Sequence, residues 1–257
     1  MRGKVALITG GSRGIGAATV RLFVEAGAQV VFNYRSAKKE AEQLAAECGG
    51  PEHCVAIHRE LKTPANGREL VEEAVHTFGR LDCLVANHGI WPPHDAPIES
   101  MTDQQWHQTL HVNLDSVFGL VQASVAQMKK QGRPADKSAT GSIVLISSTA
   151  GQRGEAMHSD YASSKGAIIS FTKSLSSELI REGIHVNSVA PGWVDTDMSA
   201  ATLRDPEKRE KVFSNIPAGR AATAQEIAGP VLFLCTPLAG FISGEIFNVN
   251  GGSVLVG

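Results

Sequence analysis

The chain has 257 residues, of which 42% are hydrophobic and 19% are charged, and its formal net charge is -2 at pH 7. This length suits one large α/β domain or two small ones, with roughly three quarters of the unfolded surface buried on folding. The near-neutral charge gives no general attraction to nucleic acid or to anionic membranes. The composition therefore favours small molecules as ligands.

The cysteines and the amino terminus indicate the compartment. Cys48, Cys54, Cys83 and Cys235 form no C-x-x-C pair and show no zinc-ligand spacing, which fits reduced thiols without a metal. The first apolar run, at residues 5–8, is too short for a signal peptide, and no stretch approaches the length of a membrane span. We therefore expect a cytoplasmic protein, with Cys83 and Cys235 in the core.

The first element is a short buried strand at residues 5–8, followed by a glycine-rich turn and a helix at residues 17–26. The turn reads Thr9-Gly10-Gly11-Ser12-Arg13-Gly14-Ile15-Gly16. Glycines at such a position let the backbone approach a pyrophosphate, and the helix N-terminus offers free N–H groups to the anion. A glycine cluster alone could be a simple turn, but a second strand at residues 29–33 completes the spacing of a βαβ unit. The pattern predicts a dinucleotide site.

The end of this second strand bears on the choice between NAD and NADP. It reads Asn33-Tyr34-Arg35-Ser36, and no acid follows before Glu40. A carboxylate there would bind the hydroxyls of an adenosine ribose, whereas an arginine pairs with a 2′-phosphate. Arg13 in the glycine turn adds a second cation. The pattern favours NADP, with a solvated basic loop as the alternative.

Strand and helix patterns alternate along the rest of the chain. Strands are predicted at residues 53–59, 81–86, 142–148, 184–189 and 245–250, and helices at 38–48, 66–78, 102–121, 159–171 and 223–234. This alternation implies a parallel sheet with its ligand at the carboxyl ends of the strands. Asn87 and Ser148 would stand at that edge.

Two segments depart from the alternation. Residues 131–141 are polar and rich in helix breakers, which predicts a surface excursion. Residues 193–215 are charged with scattered apolar side chains. Such a stretch is consistent with a mobile lid over the cleft or with a small structural helix pair.

The helix at residues 102–121 carries three polar residues of interest. Asn113 lies among apolar neighbours, so its amide needs partners, either as a satisfied core residue or in a site. His107 and His111 are four residues apart, but no third metal ligand is evident. We expect no metal.

The segment Ser159-Asp160-Tyr161-Ala162-Ser163-Ser164-Lys165 is the candidate for chemistry. In a helix, Tyr161 and Lys165 lie one turn apart, and a phenol with a pKa of about 10 is made more acidic by a nearby cation. A packed tyrosine with a solvated lysine is the alternative. Ser148 could donate a hydrogen bond to a substrate oxygen, and the lack of a nucleophile elbow around it argues against a hydrolase.

Together these residues resemble the short-chain dehydrogenase/reductase family. The resemblance runs through Thr9, Asn87, Gly89, Asn113, Ser148, Tyr161, Lys165, Pro191 and Gly192. It implies a single Rossmann-type α/β domain, with a doubly wound seven-stranded parallel sheet and helices on both faces, to which the charged stretch adds the expected lid at about residues 193–215. It also implies a homotetramer and a nicotinamide cofactor, for which Arg35 and Arg13 favour NADP (NADPH) over NAD.

The resemblance assigns roles to individual residues. Tyr161 would donate a proton to the forming alkoxide, Lys165 would lower the pKa of that tyrosine and hold the nicotinamide ribose, and Ser148 would orient the carbonyl. Asn113 would position a water molecule in a proton relay. The implied cofactor-binding residues are Gly10, Ser12, Arg13, Ile15, Gly16, Tyr34, Arg35, Ser36, Glu60, Leu61, Asn87, Gly89, Tyr161, Lys165, Pro191, Gly192, Val194 and Thr196.

Two residues depart from the family's cofactor motifs. His88 occupies a position in the turn after the fourth strand that is usually small, and would place a titratable ring beside the cofactor. Glu60 would replace the common aspartate after the third strand.

Within the family, the segments 190–198 and 219–252 look most like 3-oxoacyl-acyl-carrier-protein reductases, which would make an acyl carrier protein a partner. Against this, the 131–141 excursion is long, and Glu182 stands where those enzymes often carry a basic residue for docking the carrier. The motif at residues 33–36 equally resembles sugar dehydrogenases. A non-catalytic cofactor-binding regulator is a third reading, which the complete set of Asn113, Ser148, Tyr161 and Lys165 disfavours.

Overall fold

The computed structural model describes residues 1–135 and 139–255, so residues 136–138 of the predicted excursion lie outside the described residues. One all-parallel sheet of seven strands has the order β3-β2-β1-β4-β5-β6-β7. The strands are β1 (Val5–Ile8), β2 (Gln29–Tyr34), β3 (Cys54–His58), β4 (Cys83–Ala86), β5 (Gly141–Ile146), β6 (Ile184–Pro191) and β7 (Ile246–Val249). The predicted sheet is confirmed. The strand order changes direction between β1 and β4, which opens a crevice at their carboxyl ends.

Helices cover both faces of the sheet. They are α1 (Gly14–Glu25), α2 (Lys38–Glu47), α3 (Pro64–Phe78), α4 (Asp103–Leu110), α5 (Ser116–Gln131), α6 (Thr149–Arg153), α7 (Ser159–Leu179), α8 (Ala200–Leu203), α9 (Pro206–Ser214) and α10 (Ala224–Leu234). On one face, Phe23 of α1 and Val231 of α10 pack in a cluster with Phe32 of the sheet. On the other, Leu120 of α5 packs with Leu84 of the sheet. Burial of these apolar faces holds the layers together.

The predicted helix at residues 102–121 is wrong in one respect, because it is interrupted. A π-helical turn, His111–Asp115, joins α4 to α5. Asn113 lies within this turn, and its side-chain amide forms hydrogen bonds with backbone groups outside the helix. Single π turns of this kind are frequent at functional sites, and the apolar spacing of the sequence does not reveal them.

The predicted strand at residues 142–148 is too long at its end. β5 ends at Ile146, and Ser148 is instead the N-cap of α6, where its Oγ accepts a hydrogen bond of 3.1 Å from the N–H of Ala150. Serine is favoured at such N-cap positions because it satisfies a free N–H group. Ser148 nevertheless lies at the carboxyl edge of the sheet, where the sequence placed it.

The segment at residues 193–215 contains the short helices α8 and α9, as the helix-pair interpretation has it. Asp205 caps α9, since its side chain accepts hydrogen bonds from the N–H groups of Glu207 and Lys208. Movement of this segment as a lid stays a prediction.

The structure also bears on the expectations about the cysteines, membrane-spanning segments and metal ligands. Cys48, Cys54, Cys83 and Cys235 are all buried and free, so the expected core placement of Cys83 and Cys235 is confirmed. Within residues 1–135 and 139–255, no helix has the length and apolar character needed to cross a bilayer. The same residues hold no cluster of three or more metal-ligating side chains.

Candidate active site

A cleft of about 770 Å³ lies at the carboxyl edge of the sheet. Its walls come from the glycine turn, the loops that follow β2 to β6, and the first turns of α7. Among the predicted residues that line it are Gly10, Ser12, Arg13, Ile15, Gly16, Tyr34, Arg35, Ser36, Glu60, Leu61, Asn87, Gly89, Ser148, Tyr161, Lys165, Pro191, Gly192, Val194 and Thr196. Asn113 is not part of the lining and lies behind it.

The glycine turn has the conformation that a pyrophosphate cradle needs. Gly10 and Gly14 have φ values of +65° and +54°, which side chains disfavour. A Cβ on Gly16 would lie 2.1 Å from the carbonyl oxygen of Gly10, so only glycine permits this approach of helix and turn. The amide Nδ2 of Asn87 donates to the carbonyl of Thr9 at 2.9 Å and fixes the turn from β4. The turn and the N-terminus of α1 thus fit a dinucleotide phosphate.

Arg35 presents an unpaired positive charge at the end of β2. Its guanidinium makes no hydrogen bond or ion pair with any residue in the described ranges, and it is exposed at the cleft beside Tyr34 and Ser36. Asn33, in contrast, is buried, and its side chain forms hydrogen bonds with backbone groups of the glycine turn and of the loop after β3. This end of the cleft therefore offers a cation and no carboxylate from β2, which fits a 2′-phosphate.

Arg13, the second predicted cation, is already engaged. Its Nη1 lies 3.0 Å from Oδ2 of Asp197, in an exposed ion pair between the glycine turn and the segment after β6. The same two segments touch elsewhere, because a Cβ on Gly14 would lie 3.1 Å from Cγ2 of Thr196. Glu60 is likewise paired, with Lys62 at 2.9 Å.

Tyr161 and Lys165 lie on the same side of the cleft, one helical turn apart. The ammonium of Lys165 is 5.7 Å from the centroid of the Tyr161 ring and donates a hydrogen bond of 2.8 Å to the carbonyl of Ile146. The side chain of Ser148 lies near the phenol of Tyr161, close enough to lower the pKa of that phenol. Both helical residues are buried. The structure thus brings together three of the four side chains predicted to be catalytic.

The pKa of Tyr161 does not show the predicted lowering. Burial raises this pKa to about 12, the nearby side chain of Ser148 opposes the rise, and the charge of Glu155 adds to it. An effect of Lys165 on the phenol stays a prediction. Burial also lowers the pKa of Lys165 to about 8. Removal from water disfavours both charged forms, and it is the largest cause of both shifts.

Asn113 has a fully satisfied amide. Its Oδ1 accepts from the N–H of Ile90 at 2.8 Å, and its Nδ2 donates to the carbonyl of Ile90 at 3.0 Å and to Oγ of Ser164 at 3.1 Å. These contacts hold the loop after β4 against α7. A Cβ on Gly89 would lie 3.3 Å from Oδ1 of Asn113 and 3.5 Å from Nζ of Lys165, so the two side chains flank the same glycine. The proton relay through Asn113 stays a prediction.

His88 does not present the titratable ring that the sequence predicts beside a cofactor. Its Nδ1 lies 2.7 Å from Oγ1 of Thr9, and its Nε2 lies 2.8 Å from Oγ of Ser116. Burial, followed by the charge of Lys165, lowers the pKa of His88 to about 3. The ring is therefore neutral near pH 7, and it links the glycine turn to α5.

Sequence reasoning missed the aromatic cluster beside Tyr161. The indole of Trp91 packs edge-on against the Tyr161 ring at 4.7 Å between centroids, and its centroid lies 4.0 Å from that of His158. A tryptophan two residues after Gly89 and a histidine three residues before Tyr161 were the available signals. Other cleft residues that were missed are Asp95, Arg153, Glu155, Trp193, Met198 and Lys208.

Comparison with known sequences covers nearly the whole chain. A sequence-family profile described as "Enoyl-(Acyl carrier protein) reductase" matches residues 10–253. The chain is 38% identical to the 3-oxoacyl-[acyl-carrier-protein] reductase FabG of Salmonella typhimurium over 258 aligned residues, which cover 99% of this chain and 98% of that protein.

Solved structures share the complete fold. A short-chain dehydrogenase/reductase from Brucella melitensis, described as a glucose/ribitol dehydrogenase, superposes with a TM-score of 0.89 at 31% identity over 100% of this chain and 98% of the other. A 3-ketoacyl-(acyl-carrier-protein) reductase from Brucella melitensis, complexed with NADH, superposes with a TM-score of 0.88 at 30% identity over 98% of each chain. Other similar structures hold NADP or NADPH.

Proposed function

Because the chain belongs to the short-chain dehydrogenase/reductase family of NAD(P)-dependent oxidoreductases, we propose that it reduces a carbonyl group to a secondary alcohol with NADPH. The proposed substrate is a 3-oxoacyl thioester, carried on acyl carrier protein or on a smaller thiol. The full-length relative from Salmonella typhimurium is named for this reaction. The relative's name supports the substrate class, and the geometry of the cleft supports the chemistry.

The position of the Ser148 side chain, which lines the cleft near the phenol of Tyr161 and lowers its pKa, carries this proposal. Both groups line the cleft, beyond the glycine turn that fits the cofactor phosphates. Two hydroxyls that meet at one point can bind a single carbonyl oxygen between them. This arrangement suits proton transfer to an oxygen that gains negative charge.

Tyr161 acts as the general acid in the proposed reduction. When bound, the nicotinamide cofactor supplies the hydride. Ser148 donates a hydrogen bond to the carbonyl oxygen, and Tyr161 passes its proton to that oxygen as charge develops. The raised pKa of Tyr161 keeps the phenol protonated before the reaction. The ammonium of Lys165 lies on the same side of the cleft and stabilises the phenolate that remains.

The preference for NADPH rests on Arg35. Its guanidinium is unpaired within the part of the chain that the structure describes, whereas Arg13 already pairs with Asp197. Cofactor contacts are proposed for the predicted residues that line the cleft, with the ribose near Lys165 and the pyrophosphate on the glycine turn. Glycines at Gly10, Gly14 and Gly16 keep that turn free of side chains.

The substrate is tested by two assays with the purified protein. NADPH consumption is followed with acetoacetyl thioesters of coenzyme A and of acyl carrier protein, and NAD(P) reduction is followed with glucose, ribitol and other polyols. We expect turnover in the first assay. Turnover in the second assay alone would reject the thioester proposal.

A sugar or polyol dehydrogenase is the second candidate. The cleft lining includes the charged side chains of Arg153, Glu155 and Lys208, of which Arg153 and Glu155 form an ion pair of 2.7 Å. Such groups suit a hydroxylated substrate better than an alkyl chain. The similar structure described as a glucose/ribitol dehydrogenase points the same way.

We also propose a cytoplasmic homotetramer. Phe241 and Leu238 are almost fully exposed near the edge strand β7, and Leu255 is exposed close to the end of the chain, which supports an apolar contact with another copy. Glu182 is engaged by Lys129 at 2.6 Å, so this surface is less basic than the proposed docking of an acidic carrier would favour. Light scattering would measure the oligomeric state, and pull-down with acyl carrier protein would measure docking.

A further inference from the structure

His158 contains a buried ring nitrogen without a hydrogen-bond partner. The residue is 6% exposed, and its Nδ1 makes no hydrogen bond to any residue that the structure describes. Buried polar atoms are nearly always paired, because an unpaired one destabilises the folded protein. Residues 1–135 and 139–255 supply no partner for this nitrogen, which lies on a residue of the cleft wall.

The other ring nitrogen defines which kind of partner Nδ1 needs. Nε2 of His158 lies 3.3 Å from Oδ1 of Asp95. A carboxylate can only accept hydrogen bonds, so Nε2 carries the proton that faces it. In a neutral imidazole the second nitrogen is then an acceptor. Nδ1 is therefore suited to a donor, such as a hydroxyl or an amide N–H.

Trp91 connects the ring of His158 to the ring of Tyr161. The indole contacts the ring of His158 on one side and the ring of Tyr161 on the other. All three side chains line the cleft. A substrate whose carbonyl oxygen lies at Tyr161 therefore has its neighbouring atoms within reach of the His158 and Trp91 rings.

The backbone before His158 is held in an unusual conformation. Met157 has a φ of +65°, and it is the single non-glycine residue with a positive φ in the described part of the chain. Its carbonyl accepts a hydrogen bond of 2.9 Å from the N–H of Ala96, next to Asp95. Such backbone conformations persist only where the surroundings impose them, and they cluster at binding sites. The positions of His158 and Asp95 are thus fixed together.

We propose that Nδ1 of His158 recognises the substrate by accepting a hydrogen bond from a donor group on the part of the substrate that lies beside Trp91. The donor is an amide N–H on the carrier arm of a thioester or a hydroxyl beside the reacting carbon of a polyol. The thioester form of this inference rests on the proposed function, and the polyol form does not. Nδ1 is buried in this structure, so the proposal includes a shift of the Trp91 indole, which packs against the His158 ring, when the donor binds.

The inference is tested with matched substrate pairs. Acetoacetyl-N-acetylcysteamine carries an amide N–H that S-butyl acetothioacetate lacks, and ribitol carries neighbouring hydroxyls that 2-butanol lacks. We expect His158→Phe to lower kcat/KM about five- to tenfold more for the member with the donor, mainly through KM. His158→Gln should restore part of this loss, since its carbonyl oxygen accepts hydrogen bonds. His76→Phe, on the exposed face of α3, is the control for a lost imidazole.

Each outcome decides between the inference and its alternatives. Equal losses for both members of a pair, or no loss in either, would overturn the role of His158. Turnover of the polyol pair alone would reject thioester reduction and still test His158 through that pair. Tryptophan emission during titration with the same four compounds gives the comparison without turnover, and thermal melts exclude misfolding of the variants.

Discussion

The side-chain oxygen of Asn33, at the end of β2, accepts a hydrogen bond of 2.8 Å from the backbone N–H of Gly10 in the glycine turn. Its Nδ2 donates to the carbonyl of Arg59 at 2.9 Å. One buried amide thus joins the glycine turn to the loop after β3. A carboxylate at this position could accept from Gly10 but could not donate to Arg59.

We expect Asn33→Asp to lower the free energy of unfolding by about 1–3 kcal/mol, because it leaves the carbonyl of Arg59 without its donor. Urea unfolding followed by circular dichroism measures the change. Gln29→Glu is the matched control, since it makes the same amide-to-carboxylate change on β2, where Nε2 donates to the carbonyl of Glu52 near the surface. Equal effects of the two variants would contradict this role of Asn33.

Arg35→Ala should raise the KM for NADPH roughly ten- to hundredfold and leave the KM for NADH nearly unchanged. The physical reason is the loss of charge-assisted hydrogen bonds to the 2′-phosphate, which contribute about 1.5–3 kcal/mol. Steady-state kinetics with both cofactors measure the effect. Arg21→Ala removes an exposed arginine that pairs with Glu47 outside the cleft and serves as control. An equal rise for NADPH and NADH would rule out the 2′-phosphate contact.

Tyr161→Phe should lower kcat by about 10²- to 10⁴-fold, the usual contribution of a general acid. Because phenylalanine keeps the ring that packs against Trp91, the melting temperature should change little. Ser148→Ala should also lower kcat, whereas Ser148→Thr keeps a hydroxyl for the substrate and for the cap of α6. A normal rate in Tyr161→Phe would show that another group delivers the proton.

The sheet and the glycine turn could be predicted because their signals are local. Short apolar runs, the spacing of Gly10, Gly14 and Gly16, and the helix that follows are all read from neighbouring residues. The ion pair between Arg13 and Asp197 joins residues 184 positions apart, so no local pattern contains it. The same holds for the cluster of Trp91 with His158, which forms only when the loop after β4 meets the start of α7.

The pKa values of the site residues could be predicted from the sequence less well than the positions of these residues. The four-residue spacing of Tyr161 and Lys165 correctly places them on one side of the cleft. Spacing does not reveal that both are buried, and burial raises the pKa of one and lowers that of the other. His88 shows the same effect. Its ring is buried where it hydrogen bonds to Thr9 and Ser116, and burial lowers its pKa.

The lowered pKa of Lys165 predicts how stability changes with pH. Its pKa is about 8 in the folded protein against 10.5 for an ordinary lysine, so between these values the unfolded chain binds more protons than the native one. Stability contributed by this residue therefore rises with pH in that window. From pH 7 to pH 10, we expect the free energy of unfolding to rise by about 2 to 3 kcal/mol relative to Lys165→Met. Urea unfolding at several pH values measures this difference.

Lys173→Met is the control for this experiment, because Lys173 is exposed on the same helix and should leave the pH dependence of the wild type unchanged. Measurements stop at pH 10 because the raised pKa of Tyr161 acts in the opposite direction above it, where the folded protein holds a proton that the unfolded chain releases. Parallel curves for the wild type and Lys165→Met would show that the ammonium of Lys165 keeps an ordinary pKa in the folded protein, and that water reaches it beside the carbonyl of Ile146.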